Sequence, residues 1–225
     1  MNWEAILLTL RLAALTAVVL WVTGTPLAYW LSFSRWRWKF LVESVVALPL
    51  VLPPTVLGFY ILVGMGPNSP FGQVYGALTG SPLPFTFEGL LVASVLYSLP
   101  FAVQPFANGF SAVPVPLLEA SWMAGASPLR TFWRVVLPLS RSSMVTGLVL
   151  SFAHTMGEFG VVLMVGGNIP GVTQTASIDV YDKTQALHYG DAGATALFLL
   201  VFSYLVLSMV YAFNRRFQRT LNSYL

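Results

Sequence analysis

Residues 154–160 read His-Thr-Met-Gly-Glu-Phe-Gly, inside an apolar run long enough to cross a membrane. Glu158 is a carboxylate in that run, and such a group points to a function because burying an unpaired charge is costly. His154 lies one helical turn earlier, at i,i+4, close enough to pair with it. Two chemistries are open. A titrating Glu158–His154 pair would form a proton relay. A structural Glu158 would instead bond to His154 or to a backbone donor. Counting from Arg141 at about 1.5 Å per residue sets Glu158 roughly 25 Å along the span, in the outer part of a membrane. Gly157 and Gly160 flank it and permit close helix approach. Arg11, Gln104 and Asn108 are the other polar residues within apolar runs, and helix–helix hydrogen bonding is the simplest expectation for each.

Other chemistry finds no support. There is no Cys, so disulfides and thiolate metal sites are excluded. The two His residues are far apart in sequence, which argues against zinc. No Gly-rich loop ending in Gly-Lys-Ser/Thr occurs, so this chain lacks that phosphate-binding signature. No clustered nucleophile, base or metal set is present. We therefore expect no catalytic residues, no metal site and no cofactor in this chain.

Of 225 residues, 56% are hydrophobic and 8% charged, against roughly 25% charged in a soluble domain. The expectation is an all-α, polytopic membrane protein forming a single domain over residues 1–225. A helix needs about 20 apolar residues to span the bilayer core. Five runs qualify: 5–31, 40–63, 89–112, 143–165 and 192–213. The first lacks a basic leader and an early small-residue cleavage site, and is expected to be a retained helix.

The net charge of +3 gives no reason to expect nucleic acid. The basic residues instead set orientation. Arg35, Arg37, Lys39, Arg130, Arg134, Arg141, Arg215, Arg216 and Arg219 fall on one side of a five-helix arrangement, with Lys183 on the other and Arg11 within the first run. The positive-inside rule then places the N-terminus outside and the C-terminus in the cytoplasm.

Prolines punctuate the spans. Pro49, Pro53 and Pro54 in Leu-Pro-Leu-Val-Leu-Pro-Pro each remove a backbone donor and should kink or break the second span. A broken helix facing a pathway and a bent packing helix are both open readings. Pro100 and Pro105 should act likewise in the third span. Between spans, short helices are expected at 71–78 and 177–187, the latter interfacial.

Residues 117–138 form a basic, amphipathic connection between the third and fourth spans. Residues 117–124 suit a helix, and Gly125 suits its C′ stop. Ser127 can cap a second helix, with Pro128 at its first position. That helix presents Leu129, Phe132, Trp133 and Val136 on one side and Arg130 with Arg134 on another, and Pro138 is expected to end it. Two short helices joined at a Gly make a compact knob. An interfacial helix lying on lipid is the alternative from this pattern alone.

The spacing decides between them. Glu119, Ala120, Ser121, Gly125, Val135, Leu137 and Pro138 match the Glu-Ala-Ala-x3-Gly-x9-aliphatic-x-Leu-Pro pattern of the coupling loop in ABC-importer permeases, with Ser121 and Val135 as conservative departures. The segment resembles that cytoplasmic loop, through which the membrane subunit engages its ATPase. The resemblance makes Glu119, Ala120, Gly125, Ser127, Leu137 and Pro138 the candidate ATPase-coupling residues. Pro49, Pro53, Pro54, Gly157, Glu158 and Gly160 are the candidate pathway or helix-break residues.

The likeness continues through Leu-Pro-Leu-Val-Leu-Pro-Pro, Gly157–Gly160, Asn168, Pro170, Gly171 and Thr173. These are similar to molybdate and tungstate permeases and, more distantly, to the longer sulfate permeases. The resemblance implies a multi-pass subunit of the prokaryotic plasma (inner) membrane that passes an oxyanion inward. It implies a second copy of this chain, two cytoplasmic ABC ATPase subunits, an external oxyanion-binding protein (periplasmic or lipid-anchored) and membrane lipid as partners. A proton-coupled secondary transporter using Glu158 is the rival of a different class. Such carriers typically show inverted repeats, and none is evident here.

Overall fold

The computed structural model describes the backbone of residues 1–222 and the side chains of residues 1–212. Regular structure in the described residues is helical throughout. Helix α1 spans Trp3–Phe33, with Asn2 as its N-cap accepting from the Ala5 amide at 3.2 Å. Helices α2 (Lys39–Val51), α3 (Pro54–Met65) and α4 (Pro70–Thr79) follow, then α5 (Phe87–Ser111). Helix α6 (Val115–Met123) and the single-turn α7 (Pro128–Thr131) form the connection to α8 (Leu137–Met156). Helices α9 (Gly160–Gly166), α10 (Ala176–Gln185) and α11 (Tyr189–Asn222) complete the described chain. Arg215, Arg216 and Arg219, on which part of the charge argument rests, lie outside the described side chains.

Four helical stretches are long and apolar enough to cross a membrane: Trp3–Phe33, Phe87–Ser111, Pro128–Met156 and Tyr189–Ala212. The pair α2–α3 passes the same test only when taken together, with axes 118° apart. Its halves pack at opposite ends of the bundle. Val46 of α2 joins Leu31, Phe106 and Phe110, at the C-terminal ends of α1 and α5. Ile61 and Met65 of α3 join Leu83 and Ala93, at the start of α5. The break falls where Leu52 and Pro53 take ψ of 138° and 135°. Each precedes a proline, whose ring disfavours the helical conformation of the preceding residue. Pro54 then sits at the first position of α3, where no bond is lost.

The prolines inside helices do not break them. Pro49 stays within α2, and α5 runs unbroken through both Pro100 and Pro105. Transmembrane helices tolerate such positions when neighbours satisfy the freed carbonyls. Pro138 likewise does not end the coupling segment. A π-helical turn at Phe132–Val136 precedes it, in which the Leu137 amide reaches back to the Phe132 carbonyl. That register shift absorbs the proline, so 128–156 continues as one 29-residue element. The fourth span also stops early. It ends at Met156, not near 165, and resumes after a break as the short α9.

Helices α1, α5 and α8 form the core. Leu12 meets Leu90 toward one end, and Leu20 meets Val103 and Phe106 toward the other, so α1 and α5 run parallel. The short helices arise near the expected positions: α4 at Pro70–Thr79 and α10 at Ala176–Gln185. Helix α10 packs on the start of α1, where the Ala176 amide donates to Thr9 Oγ1 at 2.8 Å. The bundle thus has an α10 end and an α6–α7 end.

Candidate functional site

The knob at the α6–α7 end is built from local bonds. Helix α6 closes with the Gly125 amide donating to the Trp122 carbonyl at 2.9 Å and the Ala126 amide to the Ser121 carbonyl at 3.1 Å. This pair of bonds is a Schellman closure, which needs a left-handed residue at its C′ position. Gly125 supplies it with φ of +77°. Ser127 Oγ then accepts from the Arg130 amide at 3.3 Å and starts α7. The hydroxyls of Ser121 and Thr131 bond at 2.9 Å and clamp the two helices together. Ser121 is one of the departures from the family pattern, and no spacing or motif pointed to this partner.

Two residues seat the knob on the bundle. Leu118 is buried beside Phe110, Val113 and Val136. The Phe132 ring packs edge-on against Tyr29 at 5.3 Å and Phe110 at 5.9 Å. The remainder faces outward. Met123 is 90% exposed, and Glu119, Ala120, Trp122 and Gly125 are exposed beside it. Met123 and Trp122 make this outward face apolar. Leu137 and Pro138 lie apart from this face, in the run from the π turn into α8.

The second candidate region is the break between α8 and α9. Glu158 is buried there, 4% exposed, with Oε2 accepting from Ser94 Oγ of α5 at 2.6 Å. Its carbonyl accepts from Ser177 Oγ of α10, and its amide donates to Thr155. Oε1 has no hydrogen-bond partner among the described residues. His154 is not its partner. The imidazole Nδ1 bonds Ser98 Oγ at 3.0 Å, and the ring stacks on Phe101 at 4.0 Å. The helix ends between the two residues, so the i,i+4 relation that would join them is lost. Each finds a serine one turn apart on α5 instead.

Gly160 lies where the two broken elements meet. A Cβ there would sit 2.7 Å from Pro54 Cβ, so only glycine fits. The chain breaks at Pro53–Pro54 and at 157–159 therefore touch. Gly157 plays no such part, since a Cβ there would meet nothing nearer than 3.7 Å. Pro49 lies within α2, away from the contact.

The remaining polar residues depart from expectation. Gln104 and Asn108 are exposed on α5 and form no helix–helix hydrogen bonds to described residues. They face away from the α1–α8 core, which apolar side chains already fill. Arg11 stacks over the Phe87 ring at 4.4 Å. Asn168 and Thr173 fix the loop after α9, Asn168 through Asp182 and Thr173 through the Gly166 carbonyl at 2.7 Å. Among the described residues, no group of acidic and His side chains could hold a metal ion.

Residues 24–219 match the family model for the inner membrane component of binding-protein-dependent transport systems. The chain belongs to this family. Relatives bear this out along nearly the whole length. The molybdenum transport system permease ModB of Azotobacter vinelandii is 53% identical over 218 residues, covering 97% of this chain and 96% of that one. The ModB of Escherichia coli K12 is 32% identical, covering 93% and 91%. A probable sulfate transport permease of Chlorella vulgaris is 30% identical over 94% of this chain and 79% of its own. The fold is also that of solved importers. A bacterial alginate ABC transporter superposes with a TM-score of 0.76 at 17% identity, covering 95% of this chain and 78% of that one. The methionine transporter MetNI gives 0.66 at 18% identity, covering 95% and 93%. As a member of this family the chain is a transport subunit and not an enzyme. ATP hydrolysis resides in a separate polypeptide.

Proposed function

We propose that this chain is the membrane-spanning subunit of an ATP-driven importer that carries molybdate, or tungstate, inward by alternating access. The 53% identity to the Azotobacter molybdenum permease across 97% of the chain carries this reading. Sulfate is the weaker substrate reading, supported by relatives at 30–31% identity.

The working assembly contains two copies of this chain, two cytoplasmic ATPase subunits and an external binding protein that selects the oxyanion. The exposed knob around Met123 is the ATPase docking surface. Its end of the bundle carries Arg35, Arg37, Lys39, Arg130 and Arg134, whereas Lys183 lies at the α10 end. The positive-inside rule thus supports a cytoplasmic knob and an external N-terminus. A proton relay through Glu158 and His154 lacks its central contact, because each bonds a separate serine.

The test is radiolabelled molybdate uptake into proteoliposomes holding the permease and ATPase, with binding protein outside. Uptake should require both ATP inside and binding protein, and excess sulfate should compete poorly. Uptake driven by a proton gradient without ATP would overturn the reading.

A further inference from the structure

Helix α5 carries an unusual stripe on the face turned away from α1 and α8. Gln104, Asn108 and Ser111, spaced i, i+4 and i+7, are all exposed there, and their side chains make no hydrogen bond to a described residue. Lipid would be a costly neighbour for two carboxamides and a hydroxyl. This face must therefore meet water or other polar groups.

The stripe borders a pocket of about 280 Å³ between α2 and the C-terminal ends of α1 and α5. Lys39 and Glu43 of α2 line it, their charged groups 3.8 Å apart. One Lys39 proton goes to the Leu31 carbonyl at 3.2 Å. An ammonium has three donors, so donors remain for a ligand. Ser32 is committed elsewhere. Its hydroxyl is bound to the Ala28 and Ala107 carbonyls, tying α1 to α5. The donors available to a ligand are thus Lys39, the Gln104 and Asn108 amides, and the Ser111 hydroxyl.

We propose that this pocket is a low-affinity exit subsite for the transported oxyanion, a tetrahedral divalent anion, at the cytoplasmic end of the pathway. The proposal rests on the import reading given above. A cation flanked by neutral amide and hydroxyl donors suits an anion whose oxygens all accept. The volume equals on the order of nine waters at about 30 Å³ each, enough for a hydrated anion. Glu43 keeps the site weak by competing for Lys39 and repelling the ligand. Weak binding is what a conducting site needs, since a tightly held ion is not released.

The test uses the native absence of cysteine. Asn108→Cys permease is modified with either an anionic or a cationic thiosulfonate of similar bulk, then assembled with ATPase in proteoliposomes. Molybdate uptake driven by binding protein is measured, with co-purified ATPase as the control for assembly. The anionic adduct should lower uptake about tenfold and the cationic one less than about threefold, because only like charge opposes the ligand. In a second arm, Glu43→Gln should lower the internal molybdate concentration that half-inhibits uptake by about threefold, through loss of the competing carboxylate. Equal effects of the two adducts, or none from either, would overturn the subsite while wild-type uptake leaves the import reading intact. Absence of ATP-dependent uptake in the wild type would overturn both.

Discussion

The turn at Gly125 and the break at 157–160 both interrupt helices, but they are held in opposite ways. Around Gly125 every bond is local. The longest, Ser121 to Thr131, joins residues ten apart in sequence. A Cβ at Gly125 would meet nothing within 4 Å, so glycine serves there for its positive φ alone. At the intramembrane break the side-chain bonds of Glu158 and His154 are long-range. Glu158 reaches Ser94 across 64 residues, and His154 reaches Ser98 across 56. Gly160 serves for space against Pro54. The knob is therefore a self-contained unit presented outward. The break is a junction of α3, α5, α8, α9 and α10 that forms only when the bundle does.

This contrast makes substitutions at the two glycines distinguishable. Gly125→Val places a β-branched residue in the left-handed region, at a cost of roughly 1–2 kcal/mol confined to the turn. We expect uptake to fall about tenfold or more with membrane insertion normal, while Gly125→Asn, which tolerates that conformation, keeps most of it. Equal uptake in the Val variant and the wild type would break the comparison. At Gly160 side-chain volume should decide instead. Gly160→Val should destabilise the purified permease by about 1–3 kcal/mol, read as a lowered thermal midpoint. Gly160→Asn should fare no better, so the advantage of Asn over Val expected at Gly125 disappears.

Glu158 sharpens the same contrast with a smaller effect. Glu158→Leu leaves the Ser94 hydroxyl without its acceptor, costing about 1–3 kcal/mol of stability. Glu158→Gln keeps an acceptor oxygen for Ser94 and should retain substantial ATP-dependent uptake. Complete loss in the Gln variant, with the complex assembled and protons entering alongside substrate in the wild type, would make Glu158 a relay.

Local chemistry explains what the sequence made legible. The Ser127 cap, the Gly125 stop and the Pro53–Pro54 break each depend on neighbours within a few residues, and each appears where the pattern set it. Hydropathy placed the spans within a few residues, except the fourth, whose helix already runs from Pro128 and ends at Met156. That error has a physical source. The apolar run continues past the break, so hydropathy cannot register that the helix stops. Pro138 misled for a related reason, since a π turn ahead of it absorbs the proline and the helix continues. The serine partners of Glu158 and His154 carried no signal, because nothing in a single sequence brings residue 94 to residue 158. Gln104 and Asn108 were visible as polar residues, yet the side of α5 they occupy emerged only from packing.

The account rests most heavily on the knob as the ATPase docking surface. Met123, its most exposed apolar residue, is the place to ask. A photo-crosslinking amino acid at 123, in the complete transporter with binding protein and ATPase, should yield a permease–ATPase adduct on irradiation. Uptake measured before irradiation should remain near the wild-type rate. A transport-competent complex in which residue 123 crosslinks only to lipid, or to nothing, would contradict the account.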